Sequence, residues 1–170
     1  MVDTKDPRGG QQSRGHGSGR TDDALFTAEP LRSASDVDRA QANKERARQI
    51  VDSGGDVRHA VKLLSDAVEV VPDAASLTLL ADLEVANPLW RQKALDRLKQ
   101  AVAIDPKHTP AWLALANYWS LRGQTDKQIR CLQRILSYEP VNLDVREALR
   151  LISPAALEQA LAPPAPPQKP

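Results

Sequence analysis

The chain has 170 residues, enough for one ordinary domain, and balances 23 Lys plus Arg against 22 Asp plus Glu for a formal charge of +1. Wrapping nucleic acid electrostatically needs a basic excess or stripe, and none is visible, so no nucleic-acid partner is expected. The single cysteine, Cys131, excludes an intrachain disulfide framework.

Residues 1–20 hold no apolar leader-like run, and no stretch approaches the roughly 18 apolar residues of a membrane span. The expectation is a cytoplasmic protein with no membrane insertion. Aromatics make up only 4% of the chain while Ala and Leu abound, a profile of helices rather than strands.

In chain order, a polar head comes first. Residues 1–22 contain almost nothing to bury, and the segment through residue 34 is expected to be disordered. Leu25, Phe26 and Leu31 are the exception, suited either to folding back on the body or to docking. Ser35 is the expected N-cap of a first helix that runs to Asp52 and stops at Ser53-Gly54-Gly55. A second spans about Asp56 to Val70, with Val57, Ala60, Val61, Leu64, Ala67 and Val68 on one face. Further helices follow between breaks at Asn87-Pro88, Asp105-Pro106, Gly123 and Glu139-Pro140.

Leu143–Ile152 reads as a capping helix, with Leu143, Leu149 and Ile152 inward. Ser153-Pro154 opens a short helix over 153–161. Residues 162–170 are expected to be a disordered, extended Pro-rich tail. Pro164, Pro167 and Lys169 have the PxxPxK spacing of SH3-type ligands, a pattern that any solvated Pro-rich terminus with a lysine also produces.

The prolines that close alternate helices, Pro72, Pro106 and Pro140, lie 34 residues apart. A fixed period of two helices marks a helical solenoid. Trp112, Leu115, Ala116, Trp119, Gly123, Leu132, Ile135 and Pro140 add a residue signature in the third unit. Ala47, Val51, Gly55, Ala60, Leu64, Ala67 and Pro72 repeat much of it in the first. Ala81, Val85, Ala94, Leu98, Ala101 and Pro106 do so in the second.

With these residues the chain resembles the tetratricopeptide repeat (TPR) family. Departures are Lys44 at a usual aromatic position, and Asn87-Pro88-Leu89-Trp90 in place of a Gly-containing turn. The resemblance implies an all-α, right-handed superhelical solenoid over 35–152, built of repeats 41–74, 75–108 and 109–142 with a capping helix 143–152. Ala47, Ala81 and Ala116 are expected where the helices of a hairpin approach closely. Trp112, Leu115 and Trp119 share one face as a packing plug.

Catalytic signatures are missing. His16, His59 and His108 lack partners at metal-ligand spacing, Cys131 has the surroundings of a small apolar residue, and there is no P-loop, GxGxxG or GxSxG. The expectation is no enzyme, no metal and no cofactor.

The resemblance implies instead a concave groove lined by the first helix of each unit. Mapped there are Glu45, Arg46 and Gln49 at a polar end, and Leu79, Leu80, Leu83, Leu113 and Asn117 through an apolar stretch. On this mapping Leu80→Glu would abolish binding and leave helicity intact. The positions where chaperone-tail binders carry a carboxylate clamp hold Glu45, Gln49, Leu80, Pro110 and Ala114. The expected function is a protein-interaction adaptor for a peptide or amphipathic helix. Alternatives are a secretion-type chaperone and a homo-oligomeric scaffold. The groove could also be filled by the chain's own Leu25–Leu31 or Ala155–Leu161. Trp90 either packs under its turn or stands out as an anchor.

Overall fold

The structure is a computed structural model that describes residues 33–162. The expectations for the N-terminal head, Leu25–Leu31 included, and for the Pro-rich tail from 163 lie outside the described residues. The described residues form eight helices and no strand: α1 Ala34–Asp52, α2 Val57–Val70, α3 Ala74–Val85, α4 Arg91–Ile104, α5 Thr109–Leu121, α6 Thr125–Leu136, α7 Leu143–Ile152 and α8 Pro154–Leu161.

Local chemistry sets most of the boundaries. A helix leaves its first N–H groups without intrahelical partners, so a side-chain acceptor just ahead fixes where it starts. Asp56 accepts from Arg58 N–H at 2.9 Å, Asp73 from Ser76 N–H at 2.8 Å and Asn142 from Val145 N–H at 3.1 Å. Ser33, not the expected Ser35, caps α1. Its Oγ accepts the Asp36 N–H at 3.2 Å, while the Ser35 hydroxyl is bonded to that of Ser33. At the far ends, Gly54 and Gly123 take the left-handed conformation, with φ of 67° and 65°, that closes the turns after α1 and α5.

α1 packs on α2, α3 on α4 and α5 on α6 as antiparallel hairpins, and each hairpin leans on the next through α2–α3, α4–α5 and α6–α7. Close approach within a hairpin requires small residues, and Ala47, Ala60, Ala81 and Ala94 are each 0% exposed. The 34-residue register continues from Ala47 and Ala81 to Leu115 rather than to Ala116, which is buried one position further on. Leu64, Leu77, Leu98, Ile135 and Leu149 fill the spaces between helices, each contributing roughly 1.5–3 kcal/mol. Of the expected plug, Leu115 is buried and Trp112 and Trp119 are half-buried against the same core.

The last two helices depart from expectation. On α7 the inward residues are Val145, Leu149 and Ile152, spaced i, i+4, i+7, whereas Leu143 is 74% exposed. α8 packs on α6 and α7, where Ala156 is buried and its carbonyl accepts from Gln133 Nε2 at 3.0 Å. Ala155–Leu161 is therefore part of the terminal packing and does not fill a groove along α1, α3 and α5.

Candidate functional site

The first helices of successive hairpins, α1, α3, α5 and α7, carry equivalent residues 34 positions apart, and α3 packs directly on α5. Positions four apart share a helix face. One such face stays accessible along the array: Glu45 and Gln49 on α1, Leu79 and Leu83 on α3, Leu113, Asn117 and Leu121 on α5, and Leu143, Glu147 and Leu151 on α7. Leu79 and Leu83 are half-buried, and Leu113 is 37% exposed. The expected residues Glu45, Gln49, Leu79, Leu83, Leu113 and Asn117 thus fall on one stripe.

Two expected residues do not. Leu80 is 0% exposed and sits in the core with Ala47, Leu64, Leu77 and Ala111. Ala114, one period later, is 9% exposed. That column is the face on which hairpins stack. Arg46 occupies the same column in α1 and is exposed because no described hairpin precedes it. Neither residue belongs to the stripe.

The polar end of the stripe is a cleft of about 320 Å³ between α1 and the start of α3, lined by Gln41, Lys44, Glu45, Arg48, Asp73 and Ser76. Lys44 stands one period before Thr78 and two before Trp112, which donates its indole N–H to the Pro106 carbonyl at 3.0 Å. The lysine stem is buried, and Nζ lies 2.7 Å from Asp73 Oδ2. Partial burial raises the Asp73 carboxyl, but the Lys44 ammonium and the Ser76 N–H outweigh it and hold it below the usual 3.8. Arg48 pairs with Glu45 at 3.5 Å. The basic residues of this cleft are therefore both neutralised.

A second charged feature lies inside the array. Glu84 is 1% exposed, in the register place of Ile50 and Tyr118. Among the described residues it has one ion-pair partner, Lys93 at 3.5 Å, and its Oε2 has no hydrogen-bond partner. Burial pushes the carboxyl above 4.5, with Lys93 and Arg97 pulling partly back. Setting the three hairpins in register would have marked this residue, since its two equivalents are apolar.

The turn expected to depart from pattern is held by Asn87, whose Oδ1 accepts from Leu89 N–H at 3.0 Å. It presents Leu89 at 88% and Trp90 at 40% exposure. Cys131 is buried, and burial pushes its thiol up to about 11, well away from a reactive thiolate. Among the described residues no group of three or more His, Cys, Asp or Glu could hold a metal, and no helix is long and apolar enough to cross a membrane.

No protein-family model and no curated protein matches the chain. Solved structures do. The first TPR of Spaghetti (RPAP3), bound to the HSP90 peptide SRMEEVD, superposes with a TM-score of 0.57 at 21% identity, covering 70% of this chain and 96% of that one. The first TPR domain of human RPAP3 gives 0.60 at 20% identity, over 73% and 96% of the two chains. MamA gives 0.63 at 17% identity, over 75% of this chain and 77% of its own. With the all-helical hairpin architecture, these neighbours show a TPR-like solenoid fold.

Proposed function

We propose that the chain is a cytoplasmic protein-interaction scaffold that holds a peptide or helix of a partner protein along the stripe on α1, α3 and α5. The observation that carries this reading is the run of Leu79, Leu83 and Leu113 on adjacent first helices, accessible and in register, with Asn117 beside them to bond a ligand backbone. An RPAP3 neighbour holds an acidic HSP90 peptide, but here the corresponding clamp positions offer no cation. They hold Glu45, Gln49, Pro110 and the buried Leu80 and Ala114. An apolar segment suits the stripe better than an acidic tail.

Leu113→Glu tests this reading, because Leu113 is accessible enough for a charge to be solvated without disturbing the core. Quantitative affinity capture is expected to recover partners with the wild type and at least about tenfold less with the variant, a loss near 1.4 kcal/mol, at unchanged melting temperature. Equal recovery would move binding off the stripe.

A further inference from the structure

The two ends of the accessible stripe are finished differently. At the α1 end it carries Glu45 and Gln49, as suits a helix that no described hairpin precedes. At the other end α7 offers Leu143 and Leu151, 74% and 73% exposed, and Leu121 at the close of α5 is 71% exposed. Terminal units of a solenoid keep a polar outer surface because nothing stacks on them. Three leucines this bare, on the last first helix and the one before it, need a cover.

The chain that leaves α8 starts close to them. Ser153 alone joins α8 to α7, and α8 is eight residues long, so Leu161 stands within about 15 Å of the end of α7. Leu161 is itself 39% exposed and carries apolar surface up to that point. Residues 163–170 lie outside the described residues and read PPAPPQKP. Eight residues of polyproline II reach about 25 Å, while one packed helix is about 8–10 Å from the next. The three-residue spacing of the prolines fits as well. A polyproline II segment turns once in three residues, about 9 Å, so Pro164 and Pro167 face the same way at the interval of neighbouring helices.

We propose that residues 163–170 lie across the α7 end of the groove in the same chain, with Pro164 and Pro167 seated in turn on the leucines of α7 and α5. The contact itself goes beyond the partner site proposed above, and only its consequence rests on that site. The segment covers Leu121, Leu143 and Leu151 and leaves Leu79, Leu83 and Leu113 to a partner, so a partner long enough to reach α7 must displace it. Weak contacts suffice, because a short tether supplies an effective concentration on the order of millimolar.

Methyl-resolved NMR of the full chain with labelled leucines tests it. Replacing both prolines, Pro164→Asp with Pro167→Asp, removes the apolar face without touching a described helix. The methyl resonances of Leu121, Leu143 and Leu151 are expected to move while those of Leu79 and Leu83 stay in place, equally at high and low protein concentration. Movement that is lost on dilution overturns the inference, because the segment then covers a second copy. Movement confined to Leu157 and Leu161 overturns it by placing the segment elsewhere. Unmoved resonances overturn it too, and leave the partner site on α3 and Leu113 to its own test with Leu113→Glu.

Discussion

Single positions in this array have roles set by one step of helical rotation. Leu79 and Leu80 are neighbours in the chain, yet one reaches the accessible stripe and the other is sealed in the core. The sequence of α3, AASLTLLADLEV, is apolar nearly all round, so its pattern offers no contrast to say which leucine turns outward. A charge at Leu80 would therefore test folding and not recognition. Glu84, on the same helix, is the opposite case of a polar side chain drawn into the interior. Its carboxyl is raised, so the charged form is disfavoured in the folded state. That penalty is complete above the folded pKa and fades as pH falls toward 4.5. Glu84→Gln keeps the volume and removes the charge, while Lys93, being 54% exposed, can return to water. The variant is expected to melt higher at pH 7 by roughly 4 °C, about 1 kcal/mol. Calorimetry should find that advantage vanishing as pH approaches 4.5. A lower melting point at pH 7 would mean that the ion pair outweighs the desolvation of the acid.

At the scale of helices, the starts and stops were readable because they depend on a few adjacent atoms. Asp56, Asp73 and Asn142 accept the N–H groups of the turns that follow them. Prolines sit two residues beyond α2 and α4 and four beyond α6. The joint between α1 and α3 was not readable, because Lys44 looks like a surface lysine until the fold carries Asp73 to it across the intervening helix α2. This pair couples two elements and is open to a thermodynamic cycle. Asp73→Asn keeps an acceptor for the Ser76 N–H but strands the Lys44 ammonium, and should cost about 1–2 kcal/mol in urea unfolding, less than for a fully buried pair because Asp73 is 40% exposed. Adding Lys44→Met replaces the stem with an apolar one of similar length and is expected to recover most of that loss. Purely additive effects would show that the two groups are not coupled. The pH dependence has the sign opposite to that of Glu84. The stabilisation from Asp73 is present above 3.8 and is lost as pH falls through its lowered folded value.

Across the whole array, the 34-residue recurrence made the architecture legible, because equal spacing of prolines and small residues reports a stacked unit independently of side-chain detail. The terminal hairpin escaped that logic, since α7 and α8 fall after the last proline of the period and their inward faces are set by what they cap. Leu143 looked like the first core residue of α7, but Val145 and Leu149 are the ones turned to the core. A solenoid in which each hairpin touches only its neighbours should also lose stability locally. Ending the chain after Ser153 removes α8, and with it the buried Ala156 and the bond from Gln133. Native-state hydrogen exchange is expected to show faster exchange in α6 and α7, with α1 to α4 protected as in the full chain. A uniform loss of protection from α1 to α7 would instead make the array one cooperative block, in which stability at the capped end is shared with the stripe-bearing helices at the other.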